Sequence, residues 1–227
     1  MRDYFKRLWQ ALLPTALFIL MSQTTMAHAA NTQAARVLVM GDSLSAEYGI
    51  GRGQGWVQLV DTQLRTEASK KLRVHDFINA SISGETTSGG RSRLAEQLKQ
   101  HQPDIVIIEL GANDALRGLD IKSTRANLQY MVQTSLQAKA RVLLIGMQVP
   151  PNYGKRYTED FAQAFVAVAQ DNKVPLMPFL LKDVGDRADA KEWFQNDGLH
   201  PLAKAHPIIA KNVMTSLRPL LLGRSSP

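Results

Sequence analysis

The chain contains no cysteine. Disulfides are therefore excluded, and stability has to come from a hydrophobic core. The same absence excludes lipidation at a leader cleavage site. Internal repeats and low-complexity tracts are absent too, which argues against solenoids and extended disorder. The formal charge is +7, but no concentrated basic face is visible, and clusters such as Lys70-Lys71 with Arg73 are short and lack interleaved aromatics. Nucleic-acid binding is disfavoured on that ground, and the basic residues read as a solvated surface. No Walker lysine follows a glycine-rich loop. The stretch Gly49 to Gly55 fails the G-x-G-x-x-G spacing because Trp56 stands where the last glycine belongs, so it reads as a flexible loop beside a site. Histidines and carboxylates do not gather at metal-ligand spacing. His200 and His206 share a segment without further ligands, and His75 and His101 read as surface or structural residues.

Long apolar runs are scarce as well. The run from Ala11 to Met21 carries Pro14, and it is shorter than the roughly 20 residues a spanning helix needs. It follows Arg2, Lys6 and Arg7 and precedes Ala27-His28-Ala29. That order predicts a secretory leader over 1–29, cleaved after Ala29, and a single domain over 30–227. The expectation is a periplasmic or secreted monomer without a membrane anchor once the leader is removed.

What remains suits one globular domain: 227 residues, 44% hydrophobic and 21% charged. Short apolar runs alternate with amphipathic stretches. The strands predicted are Arg36 to Met40, Val74 to Ala80, Ile105 to Leu110, Arg141 to Met147 and Val174 to Met177. The helices predicted are Trp56 to Glu67, Thr86 to Gln100, Ser123 to Lys139, Tyr157 to Asn172 and Ala203 to Leu221. Near-continuous apolar strands separated by helices predict an α/β fold, a parallel sheet covered on both faces. Ligands of such sheets bind beyond the carboxyl ends of the strands.

The turns at those ends are polar and marked by glycine. Gly41-Asp42-Ser43-Leu44-Ser45 follows the first strand, Asn79-Ala80-Ser81-Ile82-Ser83-Gly84 the second, and Gly111-Ala112-Asn113-Asp114 the third. Asp197-Gly198-Leu199-His200-Pro201 precedes the last helix. Together they hold what acyl transfer requires. A serine hydroxyl needs a base to take its proton, and an imidazole is the natural base near neutrality. Ser43 and His200 fit those roles. Asp197, three residues before His200, can fix the imidazole tautomer. The oxyanion that forms needs donors, and the Ser43 and Gly84 backbone N–H groups and the Asn113 amide are the candidates. Asp42 and Asp114 read as braces for their loops. Trp193 and Phe194 precede the last turn and are candidates for walling the site.

These four blocks resemble the SGNH/GDSL hydrolase superfamily, with Ser43, Gly84, Asn113 and His200 in family order and Asp197 in the D-x-x-H position. The likeness spans nearly the whole chain after the leader. Within that superfamily the chain is more similar to bacterial periplasmic thioesterase I/lysophospholipase-type esterases, a likeness that takes in Pro151-Asn152-Tyr153-Gly154-Lys155-Arg156-Tyr157. The resemblance implies a three-layer α/β/α, flavodoxin-like sandwich with five parallel strands. It also implies that Asn152, Tyr153 and Gly154 flank an acyl-binding groove. No cofactor, metal or nucleic acid is implied, only a small acyl ester or lysophospholipid substrate, with fatty esters, aryl esters and acyl thioesters in the same chemical reach. Two alternatives differ in kind. A carbohydrate O-acetyl esterase would share the catalytic residues and differ in its groove, against which the apolar Met147, Val149 and Pro150 argue. A non-catalytic binding protein on the same scaffold would not require the complete set of reacting groups.

Overall fold

The computed structural model describes residues 34–67, 74–149 and 151–223. The expected leader over 1–29 and the basic cluster over 70–73 lie outside the described residues. Five strands form one parallel sheet: β1 (Ala35–Gly41), β2 (Val74–Asn79), β3 (Ile105–Glu109), β4 (Arg141–Ile145) and β5 (Leu176–Met177). Their spatial order is β2-β1-β3-β4-β5. Each central strand is a run of Val, Ile, Leu and Met buried on both faces, as a doubly covered sheet demands.

The helices are α1 (Trp56–Thr66), α2 (Thr87–His101), α3 (Ala112–Leu116), α4 (Ile121–Gln137), α5 (Lys155–Asn172) and α6 (His206–Leu221). α1 packs on α6 in one layer, and α2, α4 and α5 pack side by side in the other. This is the three-layer α/β/α arrangement expected. α1 buries Trp56, Val57, Val60 and Leu64, and α5 buries Phe161, Ala164, Phe165 and Val168, the 3–4 residue spacing of a core-facing stripe. Phe161 and Phe165 meet edge to face at 5.3 Å, so they are core residues. α1 and α6 are joined by a polar contact as well. His206 Nδ1 accepts the Trp56 N–H at 3.0 Å. Burial pushes the His206 imidazole toward its neutral form, and a neutral ring is what an accepting nitrogen requires.

The predicted elements are present with small changes of boundary. β5 is shorter than the predicted Val174 to Met177, because Val174 N–H turns back to Ala169 O and closes α5. The last helix begins at His206, and Ala203–Ala205 forms a 3-10 turn before it. The Gly111-Ala112-Asn113-Asp114 block, read as a turn, opens the short helix α3. Gly111 makes the change of direction possible. Its φ of +125° is a conformation few side chains tolerate, and a Cβ there would meet Phe165 at 3.0 Å.

The order 2-1-3-4-5 places a chain reversal between β1 and β3, since β1 runs next to β2 on one side and β3 on the other. Loops leaving the two strands diverge there and open a crevice. Ser43 follows β1 and Asn113 follows β3, so the topology sets both at its lip.

Candidate active site

The turn that carries Ser43 begins at Gly41, where no side chain fits. A Cβ would stand 2.7 Å from Ser45 Oγ and 2.8 Å from Ser81 Oγ. The turn is held from within. Asp42 Oδ1 accepts the Leu44 N–H at 3.0 Å, and Ser45 Oγ donates to Glu109 Oε2 at 2.6 Å. Asn79 Nδ2 donates to the Ser45 carbonyl at 2.8 Å. The result is a Ser43 presented at the crevice on a turn fixed by three elements.

The histidine comes from a small clamp before α6. Phe194 and Pro201 form an antiparallel bridge, and Gln195 N–H donates to the His200 carbonyl at 2.8 Å. Within it, Asp197 Oδ1 accepts the N–H groups of Leu199 at 2.9 Å and His200 at 3.0 Å, an aspartate-led turn. The other carboxylate oxygen lies 2.7 Å from His200 Nδ1, and His200 Nε2 lies 2.8 Å from Ser43 Oγ. With Nδ1–H donating to Asp197, Nε2 is left to accept from the serine hydroxyl. Tyr48 covers the imidazole face at a centroid distance of 4.4 Å, and Gln195 Nε2 donates to the Tyr48 carbonyl at 2.9 Å. That contact ties the His200 loop to the Ser43 loop.

Asn113 sits in the first turn of α3. Its Nδ2 donates to Asp42 Oδ2 at 3.1 Å and to the Glu85 carbonyl at 3.0 Å. Gly84 stands in the preceding residue of that loop at φ +79°, its carbonyl accepting from Arg117 Nη2 at 2.8 Å. Asp114 braces α3 from behind. It accepts the Thr87 N–H at 2.8 Å, the Thr87 hydroxyl, and the Thr124 hydroxyl at 3.2 Å. Both braces read from the sequence, Asp42 and Asp114, are therefore in place and buried.

The carboxylates differ in charge state. Burial drives the Asp42 carboxyl up from 3.8 to about 6, against the pull of the Leu44 N–H, His200 and the Asn113 amide. Burial and the neighbouring Asp42 charge raise Glu109 well above 4.5. Partial burial also pushes Asp197 up, but the N–H groups of His200 and Leu199 and the imidazole outweigh it and hold Asp197 at about 2. An ionised Asp197 beside Nδ1 favours the imidazolium that forms when Nε2 takes a proton.

A cavity of about 890 Å³ opens from Ser43, Asn113 and His200. Its walls are largely apolar: Leu44, Leu116, Met147, Val149, Phe179, Leu181, Phe194 and Leu199, with Asp186 and Lys191 the charged residues farther along. Phe194 walls the site as anticipated, whereas Trp193 does not line it. Trp193 lies between Arg187 at 4.5 Å and Lys204 at 4.9 Å, its Nε1 donating to Asp189. The loop from Gly49 to Gly55 is not free of anchors. Glu47 Oε1 accepts the N–H groups of Gly53 at 2.9 Å and Gly55 at 2.8 Å. Asn152, Tyr153 and Gly154 do not line the cavity, whose wall ends at Val149 on that strand-end loop. Tyr153 instead stacks on Tyr157 at 6.3 Å.

Four residues of the site carried little or no signal in the sequence. Glu109 looked like one polar residue ending an apolar strand, and that oddity was its signal. Phe179 and Leu181 directly follow β5 at the carboxyl edge, where wall residues belong. Tyr48 carries no sequence signal beyond its place after Ser43. Among the described residues, His, Asp and Glu side chains form no group of three or more able to hold a metal ion.

A parallel sheet of order 2-1-3-4-5 with a Ser–His–Asp relay at its β1/β3 lip and an amide from the next loop defines a hydrolase class. The chain belongs to the GDSL-like lipase/acylhydrolase family, whose model matches residues 39–208. It is similar to esterase TesA of Pseudomonas aeruginosa, at 43% identity over 82% of this chain and 89% of that one. It is likewise similar to thioesterase 1/protease 1/lysophospholipase L1 of Escherichia coli, at 37% identity over 96% and 97% of the two chains. Among solved structures it resembles the psychrotrophic esterase EstA of Pseudoalteromonas, inhibited by monoethylphosphonate, with a TM-score of 0.75 and 39% identity over 82% of this chain and 98% of that one. The protein is an ester-hydrolysing SGNH enzyme.

Proposed function

We propose that Ser43 is the nucleophile, His200 the general base and Asp197 the residue that orients it. The observation that carries this reading is the continuous relay, 2.8 Å from Ser43 Oγ to Nε2 and 2.7 Å from Nδ1 to Asp197. Ser43 Oγ attacks the ester carbonyl as Nε2 takes its proton. The oxyanion takes donors from the Ser43 and Gly84 N–H groups and the Asn113 amide. The C–O or C–S bond then breaks, His200 protonates the leaving group, and an acyl-enzyme remains on Ser43. Water repeats the sequence in reverse, releasing the acid and restoring the serine.

The substrates proposed are acyl esters of amphiphiles, lysophospholipids first, with fatty and aryl esters and acyl thioesters sharing the route. The apolar cavity supports an acyl chain over a sugar, and so disfavours the carbohydrate O-acetyl esterase alternative. The loop holding Asn152, Tyr153 and Gly154 follows Val149 and is proposed to flank the cavity mouth. Residues 1–29 are proposed as a cleaved export leader and 30–227 as the single working domain, a monomer outside the cytoplasm. No helix of the described residues is long and apolar enough to cross a membrane.

A fluorophosphonate tests the reading directly. It should label the protein once, at Ser43, and Ser43→Ala should abolish both labelling and turnover while leaving the fold intact. Labelling that persists in Ser43→Ala, mapped by mass spectrometry to another residue, would overturn the assignment.

A further inference from the structure

His200 Nε2 and Ser43 Oγ meet at 2.8 Å although the two residues are 157 positions apart. Ser43 stands on the turn after β1, and His200 on the clamp before α6. Asp197 fixes the imidazole within its own clamp. It does nothing to fix that clamp relative to Ser43. Proton transfer between the two loops therefore needs a further device that keeps them in register, since a misplacement of about 1 Å can cost about 10²-fold in rate.

Gln195 has the form of that device. Its Nε2 donates to the Tyr48 carbonyl at 2.9 Å and to the Pro201 carbonyl at 3.2 Å. Both partners are acceptors, so the orientation of the amide is set, with one proton on each loop. The Gln195 backbone belongs to the His200 clamp. Its N–H donates to the His200 carbonyl at 2.8 Å, and its carbonyl accepts the Gly198 N–H at 2.9 Å. On the other loop, the Tyr48 N–H donates to the Ser43 carbonyl at 3.4 Å. Gly49 leaves room for the amide, because a Cβ there would collide with Gln195 Oε1. The Tyr48 ring then lies over the imidazole, with centroids 4.4 Å apart and planes at 39°. Tyr48 is 51% exposed, so burial in the core is not what seats its ring there.

We propose that Gln195 and Tyr48 are positioning residues for the proton transfer between Ser43 and His200. The Gln195 amide staples the two loops together. The Tyr48 ring, seated by that staple, bears on one face of the imidazole and keeps it from swinging away from Ser43 Oγ. Once Nε2 has taken the serine proton, the same ring lies within cation–π range of the imidazolium. Both residues act through His200 and not on the reacting atoms of the ester. The proposal rests on the assignment of Ser43 and His200 given above.

Two substitutions at Gln195 separate its protons from its bulk. Gln195→Met keeps the length of the side chain and removes both protons. Gln195→Glu keeps the outline, and its added charge would favour a nearby imidazolium, so a loss there cannot come from weaker electrostatics. Each variant is titrated to completion with a fluorophosphonate, and kcat on a short aryl ester is expressed per labelled Ser43. That kcat should fall about tenfold in Gln195→Met and about 10²-fold in Gln195→Glu, with KM within about threefold. The initial rate of labelling should fall in step, since it reads the same proton transfer without an acyl chain in the cavity. Tyr48→Ala should lose about tenfold, and Tyr48→Phe, which keeps the ring, should recover most of that loss. Gln195→Met with Tyr48→Ala should cost little more than the larger single loss, because both act through one imidazole. A merely structural Gln195 would lower the fraction of protein that labels and leave kcat per labelled site unchanged. That result overturns the proposal, as does a loss confined to KM or a multiplicative loss in the double variant. Full rates in the Gln195 variants of a protein that labels at Ser43 overturn the positioning role alone. Labelling of the unaltered protein at a residue other than Ser43 overturns the catalytic assignment, and the positioning role with it.

Discussion

Asp42 and Asp197 both stand beside the Ser43–His200 contact, yet burial drives one carboxyl up to about 6 while the other is held at about 2. The nucleophile side is a buried polar assembly. Asp42, Ser45, Glu109, Asp114 and Thr87 are all nearly inaccessible, and apart from the Asp42–Leu44 bond within the turn their side-chain hydrogen bonds join separate elements of the fold. The base side is local. Asp197 and His200 lie on one turn, are 37% and 19% exposed, and satisfy one another within three residues. Buried carboxylates far from a cation brace a backbone at an electrostatic cost, whereas a carboxylate in a solvated turn stays ionised and can orient an imidazole. The first kind of group should register in stability and the second in rate.

The largest effect expected is on the base side. His200→Ala should lower kcat by up to about 10⁶-fold, and Asp197→Asn by about 10⁴-fold, because an amide favours the wrong imidazole tautomer. Together they should cost far less than the product, since both act through one proton transfer. Steady-state kinetics of the two single variants and the double variant on an aryl ester would check this. Multiplicative losses would break the pairing.

Asn113→Ala should lower kcat by about 10²–10³-fold with little change in KM. Both Asn113 amide protons are already bonded, the longer bond to Asp42 Oδ2 at 3.1 Å. Donation to an oxyanion thus requires one acceptor to be shared or released as charge develops, which confines the benefit to the transition state. A loss confined to KM would instead place Asn113 in ground-state binding.

Stability should sort the two sides in the reverse order. Asp114→Ala leaves the Thr87 N–H and hydroxyl without their acceptor in the interior, while the Thr124 hydroxyl keeps the Asp120 carbonyl, at roughly 3 kcal/mol. Asp197→Ala removes an exposed turn acceptor and should cost about 1 kcal/mol or less. Urea denaturation of both variants measures the difference, and equal losses would erase the contrast between the two sides.

The contrast also explains what the sequence disclosed. The Asp197–His200 contact was legible because the two are three residues apart and their geometry is local. Strands were legible because Val37 to Met40 and Ile105 to Ile108 are unbroken apolar runs. The braces were only half legible. Asp42 and Asp114 neighbour recognisable motif residues, but their partners Thr87, Thr124 and Glu109 lie 10 to 67 positions away, and pairing across the sheet leaves no periodic trace. The short helix α3 escaped because five residues carry too little pattern. The cavity's far wall escaped because Phe179 and Leu181 look like any apolar residues until β5 is fixed beside β4.

Glu109→Gln should have the smallest effect and is the most specific test of how the nucleophile side is built. Glu109 ends β3 beneath the nucleophile turn, accepting the Ser45 hydroxyl and the Asp42 N–H. Burial and the Asp42 charge raise its carboxyl well above 4.5, so the fold holds this proton more tightly than the unfolded chain does. A raised carboxyl contributes stability that is complete below the unfolded value of 4.5 and is lost as pH rises through the folded value. Glutamine keeps the size and one accepting oxygen but cannot titrate. The two proteins should therefore differ by only about 1 kcal/mol near neutrality, and the difference should move with pH. Unaltered protein should gain on Glu109→Gln as pH is lowered toward 4.5, and lose ground to it as pH is raised. Urea midpoints for both proteins from mildly acid to alkaline pH would follow the crossing. Ser43 should remain reactive to a fluorophosphonate in the variant, because the turn keeps its Asp42 and Asn79 contacts. A difference independent of pH would mean that Glu109 carries the same proton in both states. A difference of the opposite slope would mean that the buried group is an ionised carboxylate stabilised by its donors, and the nucleophile side would then resemble the base side.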